Sequence, residues 1–124
     1  MVMLMTREIG VHFSRLERNR VLSYSTTVSP ETQAVTLAIS GSADVLALDE
    51  LSRACTAALE LHGRAVAVDL SGITFICSTA IGKLISMNRE IKDYGGRMTL
   101  VRVPREVLSL LHHARLDHLF EIAQ

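Results

Sequence analysis

A short apolar run between two turn signals, followed by a helix with a clear stop, constrains this chain more than any other feature. Ala65-Val66-Ala67-Val68 is bounded by Gly63 on one side and by Asp69-Leu70-Ser71-Gly72 on the other. The run is too short for a helix and too continuous for a half-exposed strand, which predicts a central strand buried on both faces and parallel to a neighbour. After it, Ser78 is placed to cap a helix running to Tyr94, and Gly95-Gly96 supplies the left-handed stop that helices commonly use. A parallel strand needs a crossover connection, so this one stretch already points to an α/β layer architecture.

The flanking segments extend the pattern. Val21 to Thr27 reads as a strand, Ser29-Pro30-Glu31-Thr32 as a turn, and Ala34 to Ile39, alternating around Val35, Leu37 and Ile39, as the hairpin partner. Leu48, Leu51, Cys55 and Leu59 recur at helical spacing in a segment from about Leu46 to Leu61, which Gly63 closes. Met98 to Val103 gives a further strand, and Pro104 opens a third helix with Val107, Leu110 and Leu111 on its core side. The expected order is ββαβαβα: a mixed sheet with covering helices in a single domain over 21–124. Residues 1–20 lack a clean period and are expected to form an N-terminal extension, loosely ordered at most.

Composition removes several function classes. Thirteen Lys plus Arg balance thirteen Asp plus Glu, whereas a phosphate-backbone binder carries a basic excess, so direct nucleic-acid binding is disfavoured. Aromatic residues make up 4% of the chain and there is no Trp, which leaves little for a base-stacking platform. Nothing approaches the ~18 unbroken apolar residues of a membrane span, so membrane insertion is not expected. Cys55 and Cys77 form no CxxC, and Met1 to Met5 is too short for a signal-peptide core. Reduced thiols in a cytoplasm are the expectation.

On a helical wheel the second helix divides cleanly. Ala80, Ile81, Leu84, Met87, Asn88 and Ile91 share one arc, and Ser78, Thr79, Gly82, Ser86, Arg89 and Asp93 share the other. The second arc carries only small groups at Ser78, Gly82 and Ser86. A glycine in mid-helix costs about 1 kcal/mol relative to alanine, so either the surface tolerates it or another protein approaches the backbone there. Ser78 has a sufficient explanation as a helix cap, and Asp44 and Asp69 as ordinary cap and turn residues. Cys77 is either a small hydrophobe or, before a helix N-terminus, an activated thiol. His112, His113 and His118 have no thiolate companion, and adjacent histidines on a helix diverge by ~100°, so no metal site and no cofactor are expected.

Taken together, Val68-Asp69-Leu70-Ser71, Phe75-Ile76-Cys77-Ser78-Thr79-Ala80, Gly95-Gly96 and Leu116-Asp117-His118-Leu119-Phe120-Glu121-Ile122 resemble the STAS domain, specifically the stand-alone bacterial anti-sigma-factor antagonists. Gly41 and Asp44 fall where such domains carry Gly-x-x-Asp before their first helix. The likeness covers about residues 21–122. It implies a partner switch: the unphosphorylated domain binds an anti-sigma-factor serine kinase of the histidine-kinase-like ATPase fold and so frees a sigma factor. Phosphorylation at the position of Ser78 breaks that complex, and a phosphatase resets it. The family pattern there is Asp-Ser-Ser-Gly or Asp-Ser-Thr-Gly, so Cys77 replaces an aspartate and Ala80 a glycine, while Arg115 stands where a glycine usually ends the third helix.

The sequence is therefore read as an anti-sigma-factor antagonist-like switch with no catalysis of its own. Its phosphoacceptor is Ser78, with Thr79 as fallback, and its partner-binding set is Asp44, Asp69, Cys77, Ser78, Thr79, Gly82, Ser86 and Arg89. A phosphorylation-independent STAS scaffold in a transporter or stress-signalling assembly is the first alternative. A thiol-based redox sensor or enzyme using Cys77 is the second.

Overall fold

Alternation along the strands decides which way the sheet faces. In β3 (Val35–Ala43) the side chains of Val35, Leu37 and Ile39 are buried while Thr36 and Ala38 are only half-buried, and β4 (Ala65–Ile76) repeats this with Val66, Val68 and Leu70 against Ala67 and Asp69. These elements belong to a computed structural model that describes residues 7–13 and 22–123. β1 (Arg7–Phe13), β2 (Ser23–Val28), β3, β4, β5 (Arg97–Val101) and β6 (Glu121–Ala123) form one sheet in that spatial order. The first two pairings are antiparallel and the remaining three parallel.

Helix α1 (Leu48–Leu59) joins β3 to β4, α2 (Ser78–Asp93) joins β4 to β5, and α3 (Arg105–His113) leads towards β6. Each crossover moves one strand along in the same direction, and right-handed crossovers of that kind place every helix on one face. Leu51, Ala54 and Cys55 from α1, Leu84 and Met87 from α2, and Val107 and Leu111 from α3 all join one core with the inward strand residues. The expectation that Ala65–Val68 is buried on both faces is thus corrected: Ala65 is exposed and Ala67 half-buried on the uncovered side.

Other boundaries also move. Arg7–Phe13 pairs with β2 as an edge strand, with a register shift between Glu8 and Gly10, in a segment to which sequence periodicity assigned no element. Residues 1–6, 14–21 and 124 lie outside the described residues. The expected hairpin and the next three helices and two strands are present, but the short β6 is additional. Leu110 is 41% exposed and is not core.

Helix ends show two ways of making a left-handed stop. After α2, Gly95 takes φ +90°, its N–H donates to Lys92 C=O at 3.0 Å, and the Gly96 N–H donates to Ile91 C=O at 2.8 Å. This is the paired bonding of a Schellman cap. After α3 the same pair is made by Arg115 N–H to His112 C=O at 3.0 Å and Leu116 N–H to Leu111 C=O at 2.8 Å, with Arg115 at φ 60°. After α1 the left-handed residue is His62 and not Gly63. Gly63 is there for space, since a Cβ would sit 2.5 Å from Val35 Cγ2.

Candidate functional site

The start of α2 is built where the two longest strands end together. β4 runs well past its last partner in β5, Asp69 facing Val101, and continues beside β3 until Ile76 faces Ala43. The Cys77 N–H then donates to Ala43 C=O at 3.0 Å, and Cys77, extended at φ −91° and ψ 166°, turns the chain into the helix. Cys77, not Ser78, is therefore the N-cap residue, and no side-chain cap bond is made. Its side chain is half-buried and packs against the core.

Ser78 is the first helical residue. It is exposed, and its hydroxyl makes no hydrogen bond among the described residues. This corrects the cap reading, because the hydroxyl is not engaged in holding the helix. No acidic residue stands in the first turn, so the helix itself supplies no negative charge to the positive end of its dipole.

The wheel division is observed residue by residue. Ala80, Ile81, Leu84, Met87, Asn88 and Ile91 are buried, and Ser78, Thr79, Gly82, Ser86, Arg89 and Asp93 are exposed. A Cβ on Gly82 would meet nothing within 4 Å. Among the described residues, no contact therefore requires glycine at that position.

Three residues that sequence reasoning missed complete this rim. Val45 is 65% exposed, Leu46 55% and Phe75 52%. Val45 and Leu46 lie in a 3₁₀ turn, Val45–Ala47, that separates β3 from α1, whereas helical spacing alone puts Leu46 inside the helix. Phe75 sits next to buried Ile76 on β4 and faces Ser42 in the ladder. Regular alternation does not carry this signal: past Leu70 the buried Ile73 and Ile76 are separated by the exposed pair Thr74 and Phe75, where the β3–β4 ladder shifts register.

Asp44 stands at this rim and caps the 3₁₀ turn. Its Oδ1 accepts from the Leu46 N–H at 3.0 Å and its Oδ2 from the Ser42 hydroxyl at 3.3 Å. Asp69 does not share the site. Its carboxylate accepts from the Ser71 N–H at 2.9 Å and lies 3.4 Å from Arg102 Nε. From Asp69 to Ile76 the chain climbs at most about 23 Å at ~3.3 Å per strand residue. Arg89 lies on the same outward face of α2 as Ser78, about 16 Å along at ~1.5 Å per residue.

The second thiol behaves differently. Cys55 is buried, and desolvation pushes its pKa up to about 11. A shallow cleft of about 190 Å³ between α1 and α2 is lined by Cys55, Lys83, Ser86, Met87 and Glu90 among others. Among the described residues no three His, Cys, Asp or Glu side chains are grouped to hold a metal. His112 instead pairs with Asp117 at 3.3 Å, which lowers the Asp117 pKa.

The family model described as "Mlab, STAS domain" matches residues 26–121. The chain belongs to the STAS domain family. Comparison with curated proteins gives no significant match. Among solved structures it is similar to an anti-sigma factor antagonist from Mycobacterium paratuberculosis, at 21% identity and TM-score 0.68 over 80% of this chain and 84% of that one. It is similar to an anti-sigma-factor antagonist (STAS) domain protein from Planctomyces limnophilus, at 19% identity and TM-score 0.67 over 80% and 87%. The Bacillus cell fate determinant SpoIIAA in its phosphorylated form aligns at 14% identity and TM-score 0.55 over 93% and 92%. Among the described residues no helix is long and apolar enough to cross a membrane.

Proposed function

We propose that this STAS domain is a cytoplasmic anti-sigma-factor antagonist-like switch: a binding module without catalysis that docks an anti-sigma-factor serine kinase through the rim at the start of α2. Phosphorylation at Ser78 is the regulator, and a phosphatase resets it. The observation that carries the reading is the combination at one helix end of an exposed, unengaged Ser78 hydroxyl with exposed Val45, Leu46 and Phe75 and an open Gly82. Exposed apolar side chains at one rim mark a surface for a protein partner. Small residues on the adjoining helix face let that partner come close to the backbone.

A phosphate would add about −1.5 to −2 charge where the helix dipole favours anions, so the domain should stay folded. The effect would lie in the interface, where a like or unpaired charge costs several kcal/mol and a hundredfold loss of affinity needs only about 2.7 kcal/mol. The test uses the source organism's serine kinases of the histidine-kinase-like ATPase fold, each purified and incubated with the domain and ATP. Intact mass should show one added phosphate that Ser78→Ala removes. In calorimetry Ser78→Ala should bind constitutively, while Ser78→Asp should bind about a hundredfold more weakly with its melting temperature almost unchanged. Equal binding by both variants would leave Ser78 without a regulatory role.

A second reading is favoured by Cys77, which contributes no polar contact at the helix cap. In that reading the same rim docks a partner without phosphorylation, as a fixed scaffold in a transporter or stress-signalling assembly. Binding that is tight, unaffected by ATP and equal for Ser78→Asp and Ser78→Ala identifies it.

A further inference from the structure

Asp44 has no need to touch a partner in order to matter at this rim. Val45 and Leu46 are held out in solvent by a turn only three residues long, an arrangement that buries neither apolar side chain. What keeps that turn from folding them inward is local bonding. Asp44 Oδ1 accepts from the Leu46 N–H at 3.0 Å, and Asp44 C=O accepts from the Ala47 N–H at 3.0 Å, leaving Ala47 buried beneath. The other carboxylate oxygen accepts from the Ser42 hydroxyl at 3.3 Å. Ser42 faces Phe75 across the β3–β4 ladder, beside a register shift between Gly41 and Ser42. The intervening residue, Ala43, receives the Cys77 N–H that starts α2. One carboxylate thus links the turn bearing Val45 and Leu46 to the strand position opposite Phe75.

We infer that Asp44, seconded by Ser42, is a positioning residue: it holds the turn that presents Val45 and Leu46, preorganised, to the partner at the rim where Phe75 is also exposed. The inference rests on the docking reading of the rim. A carboxylate with both oxygens engaged inside the chain acts through geometry, whereas one used as a charged contact acts through salt-sensitive attraction. The two modes separate experimentally. Asparagine can keep both bonds, accepting from Leu46 through its carbonyl and donating to Ser42 through its amide, but it carries no charge.

The experiment measures affinity for the purified kinase at low and high salt for Asp44→Ala, Asp44→Asn and Ser42→Ala, alongside hydrogen exchange at the Leu46 amide. Asp44→Ala should weaken binding about tenfold at both salt concentrations and speed Leu46 exchange by about tenfold, with Leu100 exchange unchanged. Asp44→Asn should stay within about threefold of the parent in both readouts, and Ser42→Ala should fall between. If Asp44→Ala does not fold, Ser42→Ala still tests the clamp, because it removes only the Oδ2 partner. An asparagine variant as weak as alanine, with a deficit that vanishes in high salt, overturns the inference in favour of direct charge contact. Unchanged Leu46 exchange in Asp44→Ala overturns it as well. Phe75→Ser binding like the parent would instead refute the docking reading, and Leu46 exchange would then still report whether the bond itself orders the turn.

Discussion

The two ends of α2 are built in opposite ways. At its C-terminus every available device is in place: the Gly95 and Gly96 bonds close the last turn, the Tyr94 hydroxyl donates to Gly63 C=O at 3.1 Å, and the Arg97 N–H donates to Arg64 C=O at 2.8 Å. Lys92 in the last turn matches the helix dipole. At the N-terminus, Cys77 makes no side-chain cap bond, the first turn holds no carboxylate, and apolar side chains stand in solvent next to it. The contrast separates two tasks. One end anchors the helix to the sheet, which lets the other keep unspent donors and exposed surface for a partner or a phosphate.

The largest test breaks the anchored end. A Cβ on Gly96 would lie 2.9 Å from Ile91 Cγ2 and 3.1 Å from Arg64 C=O, so Gly96→Val should cost about 2–3 kcal/mol by overpacking. Urea denaturation measures this, and a loss below about 0.5 kcal/mol would mean that this end is not the anchor.

At the open end the same kind of change should leave stability alone. Because a Cβ added at Gly82 would meet nothing within 4 Å among the described residues, Gly82→Arg should keep the fold or gain up to about 1 kcal/mol. Kinase affinity should fall about a hundredfold, which is about 2.7 kcal/mol of binding. A destabilised Gly82→Arg, or one that binds normally, would erase the distinction between the two ends.

Alkaline pH probes the packing behind the anchored half, where Cys55 of α1 lines a cleft with Met87 and Glu90 of α2. Burial raises the Cys55 pKa from 9.0 to about 11, so the folded state holds this proton more tightly than the unfolded state. Its contribution to stability is complete below pH 9 and is lost as the pH rises towards 11, by up to about 2 kcal/mol. Cys55→Ala should lack this component of the pH dependence. In a thiol-labelling time course Cys77, which is only half-buried, should react well before Cys55.

The smallest effect comes from α3, whose end repeats the anchored design with the wrong residue. Arg115 is exposed and sits at φ 60° where a glycine would be unstrained. Arg115→Gly should raise stability by about 0.5–1 kcal/mol, read from the denaturation midpoint. No change would show that Arg115 makes up the strain through another contact.

Much of this was legible in the chain itself. The period of α2 assigned its buried arc, Ala80 through Ile91, and its exposed arc, Ser78 through Asp93, because burial along a helix follows the 100° turn between residues. Gly95-Gly96 marked the helix stop, since few other residues accept a positive φ. Small residues and an exposed serine on one face of α2 were readable for the same reason. Residue type alone puts the cap one residue late: Ser78 is the kind of residue that caps, but the Cys77 N–H bond to Ala43 decides where the chain turns.

What tertiary structure alone decided depends on pairings between distant residues. No local pattern says that three crossovers step the same way along the sheet, yet that repetition puts α1, α2 and α3 on one side and leaves Ala65 and Ala67 uncovered. Asn88 is a polar residue on the apolar arc of α2 because its amide donates to Leu119 C=O, 31 positions along the chain, at 2.9 Å. Asp44 and Asp69 look alike in sequence as acids beside turns. The register of β4 separates them, carrying one to the rim with Val45, Leu46 and Phe75 and leaving the other against Arg102. Local propensity is settled by a residue and its near neighbours, whereas the membership of a surface site is settled by strand register and crossover handedness, which only the folded sheet contains.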